Sequence, residues 1–333
     1  MTKTIRKILT MGMSLPALQI FAYDGQITRA KADALIPTEV AKEILSGIPQ
    51  ASTIMQLATK APNMSSKQKR MPVLANLPTA YFVNGDTGLK QTTDVAWDNK
   101  FLDAEELAVI VPISEAVLSD SDYDIWGQIR PLIVEALGAA FDKAVLYGTN
   151  APASWPTNVL TSCTNAGHVV TLGTGADIYD DILGENGAIS LIEQSGFMAT
   201  GHCAAMSMRG KLRNLRDASG MPIFKTGVQG ATSYELDGSP MFFPKNGAMD
   251  PAQSLMFTGD FKQLIYAMRQ DITYKILDQA VIQDNTGAIV YNLAQQDMVA
   301  LRVVMRLAWQ VPNPINSFQP NEAQRYPFAV LTP

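Results

Sequence analysis

The sequence predicts an α+β fold, on three observations. The stretch Asp120 to Gly148 has the period of one long amphipathic helix. Strand-like runs crowd the segment before it and the segment from Tyr274 to Gln310. Between them, short helical and strand-like runs are mixed.

In chain order, residues 1–35 carry Lys3, Arg6, Lys7, Arg29 and Lys31 against Asp24 and Asp33, a basic, irregular arm that needs a neighbour to order it. Gly12, Ser14, Pro16 and Gln19 break its weakly apolar part, which argues against a signal peptide. Thr38 is placed to cap a helix with Val40, Ile44 and Leu45 inside, and Pro49 ends it. Asn63 to Arg70 is too polar for a core. Strand-like runs follow at 71–83 and 92–101, joined by the turn formers Asn84 to Gly88, with Pro72 and Pro78 marking the first as an edge or projecting strand. The second run is polar except for Val95, Trp97 and Phe101. A hairpin this polar projects from the body, and its lone apolar residues dock elsewhere. Ala108 to Ile113 reads as a core strand feeding the long helix.

Asp120, Ser121 and Asp122 suit the start of that helix. Ile125, Ile129, Leu132, Ile133, Ala136, Leu137, Ala140, Phe141, Ala144 and Val145 form its stripe, and Gly148 its left-handed cap. At about 25 residues it spans about 37 Å. Pro131 either kinks it or opens a second helix. Downstream of a Thr-, Asn-, Gly- and Pro-rich boundary at 149–176, a helix is expected near 177–194, a strand at 199–207 and a helix at 209–217. Strands near 221–225, 239–243 and 254–258 and a short helix at 260–267 come next. Tyr274–Ile282 and Ala288–Tyr291 read as strands around the turn 284–287, Asp297–Gln310 as another, and the Pro-rich tail as extended.

A chain of 333 residues has room for one large or two moderate cores. Only 17% of residues are charged, which suggests a surface covered by self-association. The net charge of −5 gives no support to a dedicated nucleic-acid binder, and no apolar run is long enough to cross a bilayer. Cys163 and Cys203 are too few for a disulfide framework and suit a reducing compartment. The two histidines, His168 and His202, have no ligand spacing around them, so neither a metal site nor a Cys163–His168 pair is expected; a surface histidine is the simpler reading. Leu172-Gly173-Thr174-Gly175 lacks the rest of a phosphate loop. Trp97, Trp126, Trp155 and Trp309 are too scattered for a base-stacking platform. No enzyme and no cofactor are indicated.

The order of these parts carries a resemblance. A basic arm, Ile36-Pro37-Thr38-Glu39-Val40, a projecting polar hairpin, Val111-Pro112-Ile113-Ser114-Glu115, an Asp-Ser-Asp cap and a helix closing in Ala140 to Thr149 are similar to the major capsid proteins of tailed bacteriophages, which share the Hong Kong 97 capsid fold. Met206-Ser207-Met208-Arg209 with Leu212, Leu215, Asp217 and Gly220, then Leu255 to Phe261, and Val299 to Trp309 with Arg302 and Arg306, continue it over residues 36–311.

The resemblance implies an N-terminal arm (1–35), a peripheral domain (36–67, 104–150 with its spine helix, and 272–311), an extended loop (68–103) and an axial domain (151–271) joined by the tail (312–333). It implies a shell protein that assembles with itself into pentamers and hexamers of an icosahedral or prolate head around double-stranded DNA. Thirty-five residues without heptads are no scaffolding segment, so the chain either uses a separate scaffolding protein or lacks one; a portal and a decoration protein are the other implied partners. Assembly is implied in the host cytoplasm, with no membrane. Lys90, Val95, Trp97 and Lys100 on the extended loop, and Asp284, Asn285 and Gly287 near three-fold contacts, become the expected inter-subunit residues. Some relatives weld their shells through a lysine, an asparagine and a glutamate. Those positions align with Asn99, Asp297 and Val304, so no covalent cross-link is expected. The alternatives are an encapsulin-like compartment shell, which the loop and basic arm disfavour, and a soluble enzyme of unknown chemistry.

Overall fold

The computed structural model describes residues 52–83, 85, 88–120, 125–215 and 234–333, with the backbone alone at Asp271. The expected arm, the Thr38 helix, the Ser121–Asp122 cap, the Asp217–Gly220 turn and the strand at 221–225 lie outside those residues.

The long helix, Ile125–Tyr147, is sandwiched between two sheets. It contains Pro131 within one continuous helical span, so no second helix begins there. Gly148 adopts φ +72°, and its amide bonds the Ala144 carbonyl while Thr149 reaches back to Lys143, the paired bonds of a left-handed helix end. Ile133, Leu137, Phe141 and Val145 are buried as the period requires. Leu132, Ala136 and Ala140 are not: they lie on the open side of the helix, because the buried sector is centred on Phe141 and Val134.

The strands, in chain order, are β1 (Thr59–Lys60), β2 (Gln68–Leu74), β3 (Trp97–Asp103), β4 (Glu105–Ser114), β5 (Val169–Thr171), β6 (Gly201–Ala204), β7 (Glu235–Leu236), β8 (Ser239–Phe242), β9 (Met256–Gly259), β10 (Ile265–Leu277), β11 (Val281–Gln283), β12 (Ile289–Asn292), β13 (Met298–Gln310) and β14 (Phe328–Thr332). A four-stranded sheet has the order β1-β10-β13-β4, with β13 antiparallel to both neighbours. Leu301, Val303, Met305, Leu307 and Trp309 project from β13 toward the helix. On the opposite face Ala308 packs with Leu102 and Met64, and Met298 and Ala300 pack with Leu293. The period of two thus sends alternate residues of one strand into different cores.

The second sheet has six strands in the order β5-β14-β9-β6-β8-β7. Phe328, Val330, Phe257 and Cys203 face the long helix, while Ala329, Leu331, Met256 and Ala204 face a second core built with Ile182, Ile189, Ile192, Met208 and Leu212. Glycine is required at 259, where a Cβ would run into the Phe328 ring and the Pro327 carbonyl of the adjacent strand.

Several expectations are corrected. Ala108–Ile113 belongs to β4, an edge strand with alternating exposure, because β13 takes the centre. The first strand of the hairpin is β2, ending at Leu74, and the second begins only at Trp97. The helix near 177–194 is two, Ile178–Leu183 and Ala188–Gln194, parted at Gly184 and Gly187, where a Cβ would strike the Asp180 carbonyl. Met206–Arg213 replaces the helix at 209–217. The helix at 260–267 is one 3₁₀ turn, Phe261–Gln263, followed directly by β10 from Ile265. The tail is not merely extended: β14 pairs with both β5 and β9 inside the six-stranded sheet. Ahead of it, the buried Arg325 donates to the carbonyls of Asn313, Gln319 and Pro320 and fastens the proline-rich approach.

Candidate assembly surfaces

The β2–β3 hairpin runs in register from Gln68 opposite Asp103 to Leu74 opposite Trp97. Beyond Leu74 the ladder fades: Ala75 and Asn76 bond the Ala96 carbonyl, Thr79 bonds the Thr93 hydroxyl, and residues 77–83 have no regular strand. At the foot, Leu102 is fully buried against the four-stranded sheet, and the Trp155 indole donates to the Asp103 carbonyl at 3.0 Å. The foot is anchored and the outer half is not. There Phe82 is fully exposed, Leu89 is 93% exposed and Trp97 is 67% exposed. Burying three such side chains elsewhere would contribute about 1.5–3 kcal/mol each.

The expected interface residues fall in two separate places. Lys90 and Trp97 are exposed on the hairpin, with Val95 half-buried there. Lys100, lower down, pairs with Glu322 of the tail at 2.7 Å. Asp284, Asn285 and Gly287 form the tip of the small β11–β12 hairpin, where Asp284 Oδ1 accepts from the Thr286 amide, the Thr286 hydroxyl and the Ala288 amide. Those bonds, the Thr286 hydroxyl first, hold the Asp284 carboxyl below its ordinary range. Gly287 supplies the positive φ, +85°, that closes the turn. Tyr81, Phe82, Val83 and Leu89 were not singled out by sequence, although an aromatic and β-branched run beside Pro78 carries that signal.

A third feature joins distant parts. Asp142, on the long helix, is 1% exposed. It accepts from the Ser52 hydroxyl at 2.5 Å, the Thr53 amide at 2.9 Å, the Ile54 amide at 3.3 Å and the Asn246 side chain at 3.2 Å. Ser52 in turn caps the short helix Thr53–Leu57. Burial pushes the carboxyl up to about 6, and the four donors pull in the other direction. One side chain therefore ties the entry of the described chain and the loop after β8 to the long helix.

The histidines and cysteines lie in the interior. His168, against the expectation of a surface histidine, and His202 are both buried: His168 contacts the Phe328 carbonyl and the Ser195 hydroxyl, and His202 the Leu236 carbonyl and the Thr258 hydroxyl. Both side chains of the Ser195–His168 pair are buried, and the other ring nitrogen meets a carbonyl rather than a carboxylate. Cys163 and Cys203 are buried thiols whose pKa burial raises. Trp155 and Trp309, expected to lie apart, meet edge to face at 6.5 Å inside the core, so they offer no stacking surface. Among the described residues, no group of three or more His, Cys, Asp or Glu is placed to hold a metal, and no helix is long and apolar enough to cross a membrane.

The phage capsid family model matches residues 32–320. The major capsid protein of Staphylococcus phage 80alpha is 29% identical over 296 residues, covering 88% of this chain and 86% of that protein. A solved structure from Microbacterium phage Oxtober96 is 35% identical with a TM-score of 0.74, covering 92% of this chain and 99% of that one. One from Mycobacterium phage Adephagia is 30% identical with a TM-score of 0.73, covering 90% and 95%. The fold is thus shared, over about nine-tenths of this chain, with solved structures from phages. The chain belongs to the phage capsid family and is a tailed-phage major capsid protein of the Hong Kong 97 type.

Proposed function

We propose that copies of this chain form pentamers and hexamers that close into an icosahedral or prolate head around double-stranded DNA, with the β2–β3 hairpin of each copy lying on its neighbour. The observation that carries this reading is the outer half of the hairpin, where Phe82, Leu89 and Trp97 stand in solvent on an arm whose foot is fixed. An isolated two-stranded arm is marginal in water, so a neighbour must supply its missing core. Lys90, Val95, Trp97 and Lys100 are the contact residues of that arm, and Asp284, Asn285 and Gly287 those of the β11–β12 tip.

In this reading residues 68–103 are the extended loop, the four-stranded sheet with the long helix is the peripheral domain, and the six-stranded sheet with the tail is the axial domain. Each contact can be weak, because every subunit engages several neighbours at once. The partners are the chain itself, a separate scaffolding protein, a portal and a decoration protein, with assembly in the host cytoplasm and residence in the virion. The role is structural, not enzymatic. The relatives are phage capsids, which favours a head over an encapsulin-like compartment. Electron microscopy of the purified chain tests the reading: closed shells or capsomer arrays support it, and a monomer at high concentration overturns it.

A further inference from the structure

The six-stranded sheet ends at β5 on one side and β7 on the other, and its two edges differ in charge. From Thr149 to Met208 the chain has no lysine or arginine and five carboxylates, Asp177, Asp180, Asp181, Glu185 and Glu193. Three of them, Asp180, Asp181 and Glu185, line a hollow of about 240 Å³ beside β5. Asp181 is committed within its own chain, accepting from the Gly173 and Gly175 amides at 2.7 Å each. Asp180 and Glu185 are exposed, and their carboxylates are unpaired among the described residues.

At the other edge, a hollow of about 510 Å³ is lined by Arg209, Tyr234, Glu235, Phe242 and Lys245 among others. The Arg209 guanidinium lies 4.9 Å from the centre of the Tyr234 ring, and its buried Nε has no hydrogen-bond partner among the described residues. Lys245 is exposed and unpaired among the described residues. Glu235 shares the hollow without pairing with either cation, while Lys211 and Arg213 on the Met206–Arg213 helix add positive charge nearby.

We propose that these edges are the two halves of one contact between copies: Asp180 and Glu185 of one copy seat in the Arg209–Lys245 hollow of the next. A ring closes when two different patches on each copy meet head to tail. Opposite edges of one sheet are two such patches. Five strand spacings, about 24 Å, separate them, so no copy can satisfy itself. Charge also selects the pairing, since acidic edge on acidic edge or basic on basic brings like charges together. The inference rests on the ring-forming reading above and names the residues that close the ring.

The test uses the full chain with Glu185→Lys, Lys245→Glu and the two combined, all at exposed positions, with circular dichroism confirming folded subunits. Each single reversal is expected to raise the concentration needed for assembly by about tenfold or more, and the combined reversal to restore it. Mixed in equal amounts, the two single variants must alternate around a ring. Six-membered rings then close and five-membered rings do not, which gives open hexamer arrays instead of shells. Normal assembly by either folded single variant overturns the contact, as does a folded double variant that regains nothing. Loss of assembly by the unaltered chain would instead overturn the shell reading.

Discussion

The Thr53 amide donates to Asp142 Oδ2 at 2.9 Å, across 89 residues of sequence. With the Ser52 hydroxyl, the Ile54 amide and the Asn246 side chain it surrounds a carboxyl with donors only. Replacing Asp142 by leucine leaves those donors unanswered in the interior and is expected to cost several kcal/mol. Denaturant unfolding of dissociated subunits measures this, and a loss below 1 kcal/mol would show that the network is replaceable.

The same residue sets a pH dependence. Its carboxyl is raised from an ordinary 3.8 to about 6 by burial, so the folded chain holds this proton more tightly than the unfolded one. The contribution is fully present below about pH 4 and is lost as pH rises through about 6, a decline of about 3 kcal/mol for this group. Comparing subunit stability at pH 4, 5, 6 and 7 with that of Asp142→Asn isolates it. The variant should show a flatter profile over that window, and an unchanged slope would assign the dependence to other groups.

Leu137, 1% exposed in the middle of the long helix, faces the core shared by both sheets. Leu137→Asp buries an unpaired charge at a cost of several kcal/mol and is expected to give insoluble protein rather than a specific assembly defect. Recovery of folded, soluble subunits would show that the helix is not the centre of the subunit.

Removing residues 84–92 should spare the subunit and stop the shell. The foot of the hairpin, with Leu102 and the Trp155–Asp103 bond, lies outside the deletion. Soluble, folded protein that makes no particles is expected by chromatography and microscopy. Normal particles would remove the hairpin from the assembly contacts.

Shells of this chain should dissociate fully in hot detergent. Lys100, the amine nearest the aligned position, is engaged by Glu322, and Asn292 Nδ2 donates to Gln295 at 2.8 Å. Val304 is a buried hydrocarbon where a proton-shuttling carboxylate would be needed. A single band near 36.1 kDa on a denaturing gel is the expected result. A ladder of oligomers would mean that another amine and amide meet across subunits.

What sequence made legible follows from how local each signal is. The long helix was readable because its period, its cap at Gly148 and its apolar face all lie within one stretch. The hairpin was readable as a projection because Val95 and Trp97 stand alone among polar residues. Leu132 was misassigned because spacing gives the width of a stripe but not the neighbours that cover it. The helix expected at 260–267 failed because one 3₁₀ turn, begun by Asp260 accepting from the Lys262 amide, is too short to show a period. Asp142 looked like any polar residue near a helix end, since its partners sit 88–104 residues away. The Arg209–Lys245 hollow was equally hidden, because only sheet pairing brings the two residues to one edge.

The position of β14 bears on how the chain is made. It lies between β5 and β9, yet it is synthesised after every other strand of both sheets. Until Phe328–Thr332 leaves the ribosome, both of those strands keep an open edge, and Phe257 and Met256 lack the neighbours that cover them. A chain halted anywhere before Phe328 therefore carries two sticky edges and an unfinished core, a form suited to capture by chaperones or proteases. A subunit shortened before Phe328 is therefore expected to stay unfolded, because no other described strand joins β5 to β9.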